Sequence, residues 1–301
     1  MVSRIRPAAE VPPYGLVHYP RGSVSPLDAL FDEVSEYFDH GVRVGRGDVV
    51  FDVGANIGAF ALYVAQRLQG DVRFFCFEPA PPIYDALKAN FRNPLLRGGN
   101  HRLLPLALTA APRTAETTDV FFFRTLPTDS TIDLEQKRLE FEDFFDARGR
   151  DGERARRRAL PGAMGKGLGA AFHRLMASIP KGPFGRWTTD QALGLERHRA
   201  RLATLSEVVR EHRVERIDLL KVDVEGSELG VLEGIDDATW PRIGQVVLEG
   251  HNVNGRQGAI ESLLADRGFE RIVVSRPALA DERGLPTNFL LTARRSLGAM
   301  G

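Results

Sequence analysis

The stretch Val49-Val50-Phe51-Asp52-Val53-Gly54-Ala55-Asn56-Ile57-Gly58-Ala59-Phe60 constrains the chain more than any other. A β-branched apolar run stops at an acidic residue and two spaced glycines. A helical apolar period then begins at once, with Ile57, Phe60, Ala61, Val64, Ala65 and Leu68. This is strand, tight turn, helix, the opening unit of a parallel α/β sheet. Gly54 frees the backbone to turn sharply and to approach a ligand, Gly58 lets the helix pack close to the strand, and the helix start presents unpaired N–H groups. The spacing Gly-x-Asn-x-Gly differs from the Gly-x-Gly-x-x-Gly of a pyrophosphate binder. Asp52 would repel phosphate but accept hydrogen bonds from an ammonium or hydroxyl group, so the turn suits a ligand with a nucleoside at one end and an amino acid at the other.

The rest of the chain fits around that unit. Residues 1–25 carry four prolines and no periodicity, which predicts a loosely attached arm, and Ser25-Pro26 opens a covering helix with Leu27, Leu30, Phe31, Val34 and Phe38 on one face. Strands are expected at 73–77, 102–108, 120–123, 217–226, 245–249, 271–275 and 288–293. Helices are expected at 79–91, after Gly226 and around Ile260, the last of these stopped by Gly268. Five parallel strands with crossover helices and a terminal hairpin give a seven-stranded, mostly parallel sheet of the Rossmann type. About seventy residues interrupt the pattern before Ile217. They hold helical stretches at 134–145 and 170–179, an arginine cluster at 148–158 and a glycine run at 162–169. The expected organisation is an arm and covering helix (1–40), a core (41–123 and 204–301) and a helical lid or substrate platform (124–203).

Composition excludes several function classes. Lys plus Arg and Asp plus Glu number 40 each, so no global basic field draws the chain to nucleic acid or a membrane surface. The single cysteine, Cys76, lies in an apolar strand and supports neither a disulfide framework nor a thiolate metal site. With no signal peptide and no run long enough to span a bilayer, a soluble cytoplasmic protein is expected.

In an open parallel sheet the ligand lies beyond the carboxyl ends of the strands. The groups there are Asp52, Glu78, Ala107, Asp223 with Glu225, and Glu249 with His251. Glu78 lies 24 positions beyond Gly54, near the distance at which a strand-end carboxylate grips ribose hydroxyls. Ala107 and Leu108 would face an adenine ring. S-adenosylmethionine is a ligand that meets these demands. Alternation along a strand puts Asp223 and Glu225 on one face, and Glu249 and His251 on one face. Methyl transfer to an alcohol needs positioning and a base for the hydroxyl proton. His251 is the natural base, with Glu225 or Glu249 as its carboxylate partner. The other histidines, 18, 40, 101, 173, 198 and 212, read as surface or packing residues. A divalent metal held by Asp223, Glu249 and Asn252 is the rival arrangement, but the same carboxylates can serve the cofactor and orient His251, so the site is read as metal-free.

Phe51-Asp52-Val53-Gly54-Ala55-Asn56-Ile57-Gly58, Phe77-Glu78-Pro79, Ile217-Asp218-Leu219-Leu220-Lys221-Val222-Asp223-Val224-Glu225-Gly226 and Val247-Leu248-Glu249-Gly250-His251 together resemble the FkbM family of S-adenosylmethionine-dependent methyltransferases. The resemblance implies the class I methyltransferase fold and methylation of a hydroxyl oxygen, often on a polyketide, peptide or sugar-containing natural product. It also implies that Asp52, Gly54, Asn56 and Gly58 hold the methionine portion, Glu78 the ribose and Asp223 the cofactor side of the reaction centre, with His251 and Glu225 or Glu249 as the acid–base group. The proline-rich start resembles a tailoring domain of a multidomain synthase, whose acceptor would be tethered to a carrier protein. A nucleic-acid methyltransferase would need a continuous basic surface with stacking aromatics, and a non-catalytic cofactor-binding domain would not need the acidic rim.

Overall fold

The computed structural model describes residues 5, 8–23, 27–111, 115–139, 183–275 and 288–295. The arginine cluster, the glycine run and the helix expected at 170–179 lie outside them. The chain opens with a hairpin, β1 (Ala9–Val11) and β2 (Gly15–Val17), and the covering helix α1 (Leu27–Asp39). The described part of the arm is packed, not loosely attached. Tyr14 stacks on Phe31 with ring centroids 4.0 Å apart. The buried Asn90 side chain accepts from the His18 N–H and donates to the carbonyls of His18 and Ile57, which ties the arm to the central unit.

The central unit follows: β3 (Asp48–Val53), α2 (Ala59–Leu68), β4 (Val72–Phe77), α3 (Pro81–Asn90) and β5 (Arg102–Leu104). The strand expected over 102–108 is broken. Pro105 has no N–H for the ladder, and the chain leaves the main sheet there. β6 (Leu106–Leu108) instead joins a second, three-stranded sheet with β7 (Thr117–Phe123) and β8 (Leu195–Ala203), in the order β6-β8-β7. Between β7 and β8 lie the described parts of the insert: a tight turn at Pro127–Asp129, a helical segment at 134–139 and α4 (Pro183–Leu193). β7 pairs antiparallel along its whole length with Leu195–Arg201 of β8, so the insert leaves from and returns to one strand pair.

The chain then runs through α5 (Leu205–Glu211), β9 (Leu219–Val222), α6 (Glu228–Glu233), β10 (Gln245–His251), α7 (Arg256–Asp266), β11 (Arg271–Ser275) and β12 (Asn288–Arg294). Thr204 and Glu207 cap α5 reciprocally, the Thr204 hydroxyl accepting from the Glu207 N–H and the Glu207 carboxylate from the Thr204 N–H. The main sheet has the order β11-β12-β10-β9-β3-β4-β5, with β12 alone antiparallel to its neighbours. Strand order reverses between β3 and β9, and the crevice at the switch point of an open α/β sheet opens there. Alternation divides the core. Val50, Phe74, Cys76 and Leu219 face α1, α2 and α3, while Phe51, Phe75, Leu220 and Leu248 face α5, α6 and α7. No helix among the described residues is long and apolar enough to cross a membrane.

Candidate active site

Beyond the carboxyl ends of β3, β4 and β9 lies a pocket of about 660 Å³, its open mouth included. Gly54, Asn56, Glu78, Ala107, Asp223 and Glu225 all line it, with Phe77, Leu106 and Leu108 as apolar walls. The sequence therefore brought most of its candidates to one place, although their roles differ from expectation.

Gly54 is required by a neighbouring strand end. It has φ 77°, and a Cβ there would lie 1.7 Å from the Asp223 carbonyl oxygen, so it permits a close approach to the chain just beyond β9 while it lines the pocket. Gly58 (φ 88°) makes room for Leu87 of α3, not for the strand. Two N–H groups of the turn before α2 have partners within the protein. Asn56 N–H donates to Glu78 Oε2 at 3.1 Å and Ile57 N–H to Asn56 Oδ1 at 2.8 Å.

Glu78 is nearly buried and accepts a second bond from Ala80 N–H at 2.9 Å. Burial raises its pKa to about 7, against the opposing pull of those two N–H groups. Two N–H donors leave its carboxylate with further lone pairs for a ligand's hydroxyls.

Asp52 does not reach the pocket. It is fully buried and pairs with Lys221, whose Nζ stands 3.1 Å from Asp52 Oδ1, 3.3 Å from Asp223 Oδ2 and 2.9 Å from the Gly54 carbonyl. Burial raises the Asp52 pKa, opposed by Lys221. Burial also works against the Lys221 ammonium, but Asp52 and Asp223 outweigh it and hold its pKa above the ordinary lysine value. Lys221 was quoted in the sequence motif without a role. A lysine between Leu220 and Val222 in a wholly buried strand was the signal, because such a charge needs carboxylates beside it. It locks the ends of β3 and β9 together.

The strand expected to run to Gly226 ends at Val222. Glu225 (φ 50°) and Gly226 (φ 104°) form a left-handed turn, so strand alternation does not put Asp223 and Glu225 on one face. Glu225 is ion-paired with Lys137 of the insert at 2.7 Å. Burial pushes its pKa up to about 7, Lys137 opposes this, and Asp129 and Asp223 add to it.

β10 does run through His251, so alternation places Glu249 and His251 on one face, but neither is among the residues that line the pocket. Glu249 accepts a hydrogen bond from the buried Tyr37 of α1 at 2.8 Å. Burial, then Glu33 and Asp223, push its pKa well above the carboxylate range. Glu228, which the sequence reading missed, is a carboxylate that His251 acts on electrostatically. It is fully buried at the start of α6, accepts from Gly226 N–H at 2.7 Å and lies 3.4 Å from Arg256. Burial raises its pKa, opposed by Gly226, Arg256 and His251. Asn252, a candidate metal ligand, is exposed and accepts from the Gln257 N–H in the first turn of α7. Among the described residues no three His, Cys, Asp or Glu side chains are grouped to hold a metal ion. His101 is a packing residue, with Nδ1 accepting from Phe74 N–H at 3.2 Å and the ring against Phe91.

Comparison with known proteins fits this arrangement. Residues 52–271 match the Methyltransferase FkbM domain. The chain is 32% identical to methyltransferase sdnD of Sordaria araneosa, over 91% of this chain and 92% of that protein. It is 34% identical to the 31-O-demethyl-FK506 methyltransferase FkbM of Streptomyces tacrolimicus, over 81% of each. It is also 35% identical to part of the AMB antimetabolite synthetase AmbE of Pseudomonas aeruginosa, where the match takes in 81% of this chain and 10% of that protein. The chain belongs to the FkbM methyltransferase family.

Proposed function

We propose that the protein transfers a methyl group from S-adenosylmethionine to a hydroxyl oxygen of a natural-product intermediate, in a cytoplasmic setting. The observation that carries this reading is the joint pocket of Asn56, Glu78, Ala107 and Asp223 at the switch point of the sheet. The residues present fit that cofactor. Glu78 keeps lone pairs for the ribose hydroxyls, Ala107 and Leu108 offer backbone and apolar surface to an adenine, and the partly exposed Asp223 carboxylate, backed by Lys221, suits an ammonium group. Asp52 contributes through Lys221 and not by contact.

The cofactor supplies an electrophilic methyl group. The protein positions the acceptor and takes its proton, and His251 is the base, with the Glu228 carboxylate stabilising the imidazolium. Glu228 thus replaces Glu225 and Glu249 as the partner of that histidine. The oxygen acceptor and the natural-product class are carried over from the relative named for a 31-O-demethyl compound. The match inside a synthetase supports an acceptor tethered to a carrier protein. The metal-free reading predicts activity after chelation, and the even charge balance favours a small acceptor over nucleic acid.

Turnover of S-adenosylmethionine with hydroxylated acyl acceptors, free and carrier-bound, tests the reaction. His251→Ala is expected to lower kcat by about 10²- to 10⁴-fold while S-adenosylhomocysteine still binds. Unchanged turnover in that variant overturns the mechanism.

A further inference from the structure

One wall of the pocket comes from the insert. Pro127, Thr128, Ser130, Thr131 and Ile132, in the first turn after β7, line it together with Glu78 and Ala107. This segment is anchored at both ends. Phe121 and Thr131 exchange two backbone hydrogen bonds, of 2.8 and 3.1 Å. From Thr131 onward several ties lead to the turn after β9, beside one from Arg256 of α7 to Gln136 Oε1 at 2.8 Å. Thr131 Oγ1 donates to the Glu225 carbonyl at 2.9 Å, Lys137 Nζ meets the Glu225 carboxylate at 2.7 Å, and a Cβ on Gly226 would lie 2.9 Å from Gln136 Nε2. Lys137 is 3% exposed, so its charge is compensated inside the protein. Glu225 takes contacts on both its backbone and its side chain while held at φ 50°, a conformation that a glutamate adopts only when its surroundings demand it.

We propose that Glu225 is a positioning residue which, with Lys137, fastens the insert wall 127–132 onto the cofactor pocket and thereby sets cofactor affinity. The inference rests on the S-adenosylmethionine reading above. Its logic is that a wall delivered by an insert must be tied to the sheet at the pocket's own edge, and the Glu225–Lys137 pair is the ionic contact that does so. A carboxylate committed to an ammonium 2.7 Å away is poorly placed to shuttle a proton.

Calorimetric binding of S-adenosylhomocysteine to the full chain tests it. Lys137→Met, which also removes the 3.6 Å ion pair with Asp129, and Glu225→Gln are each expected to weaken binding by about tenfold, and the double variant no further than Lys137→Met alone, because the Lys137–Glu225 pair is then already gone. Lys137→Arg, which keeps the charge, is expected to stay within about threefold of the wild type, a rescue that a merely space-filling lysine would not need. Unaltered affinity in Lys137→Met overturns the proposal. So does Glu225→Gln with unaltered affinity and collapsed turnover, which would make Glu225 a proton-transfer group. Should Lys137→Met fail to fold, Thr131→Val removes the hydroxyl that donates to the Glu225 carbonyl and accepts from the Asp133 N–H; a loss of about threefold supports the proposal, and no loss overturns it. Failure of the wild type to bind S-adenosylhomocysteine overturns the cofactor reading itself, and is seen before any variant is compared.

Discussion

Lys221 in the seven-stranded sheet and Arg124, just beyond β7 of the three-stranded one, both meet a carboxylate within 3.1 Å, at Asp52 and Glu196. The side chains of the first pair are 6% and 0% exposed, and those of the second 53% and 34%. The main sheet buries Asp52 and Lys221 at the strand ends where the pocket opens. The small sheet spreads arginines along its surface, with Arg197 on Asp119 and Arg199 on the Thr117 hydroxyl. In the dry location a charge is tolerated only if its partners stay in place, so the pair fixes geometry. In the wet location water and salt do most of the compensation, so the pairs fix little and keep an added layer soluble.

Breaking the buried set should give the largest effect. Lys221→Met leaves Asp52 uncompensated in the core and frees the Gly54 carbonyl, and it should cost about 3–5 kcal/mol in urea unfolding. Adding Asp52→Asn should return part of that loss, since the stranded charge is then gone. A cost below about 1 kcal/mol would mean that the strand ends are not desolvated, and the contrast between the sheets would collapse.

The same contrast explains what could be read from the sequence. The main sheet was legible because strands buried on both faces are continuous apolar runs, as in Val49-Val50-Phe51 and Phe74-Phe75-Cys76-Phe77. β8 was not, because Leu195-Glu196-Arg197-His198-Arg199-Ala200-Arg201 reads as a solvated charge run although it pairs along its whole length with β7. The capping pair Thr204 and Glu207 marked the start of α5 and went unread. Within the site, residue types and strand ends placed Glu78, Asn56 and Asp223 correctly in one pocket. Spacing could not reveal that Asp52 faces Lys221, that Gly54 yields to Asp223, or that Lys137, 88 positions away, claims Glu225. Those facts come from the left-handed turn at Glu225 and from the return of the insert, which are tertiary.

A smaller effect follows from pH. Glu78 and Glu225 have their pKa raised by burial from 4.5 to about 7. Between those values the folded chain binds more protons than the unfolded one, so these groups favour the fold at low pH and that contribution is lost as pH rises through the window. Ligand-free protein should therefore melt at a higher temperature near pH 5.5 than near pH 7.5, and Glu78→Gln should flatten the slope. For Glu78 alone the change over that range is roughly 1–2 kcal/mol. In the small sheet Asp119 has the opposite sign, because the hydrogen bond from Arg197 lowers its pKa below 3.8, so the scan reads the main sheet alone. A stability that rises through this window would place the two glutamates in water.

The smallest effect tests the other half of the comparison. Arg124 Nε and Nη2 both donate to Glu196 Oε1, at 3.0 and 2.7 Å, a geometry that in a dry site would make a strong pair. Its side-chain stem also packs at Gly22 and Gly194, where an added Cβ would lie 2.9 and 3.1 Å away. Arg124→Met keeps the stem and removes the charge, and for a pair this exposed the expected loss in urea unfolding is about 0.5 kcal/mol, shrinking further as salt is added. Arg124→Ala removes both, so the difference between the two variants measures packing separately from charge. If Arg124→Met alone cost more than about 2 kcal/mol and salt did not change it, the pair would be desolvated, and the small sheet would use charge as the main sheet does: to hold strands in place beside the pocket.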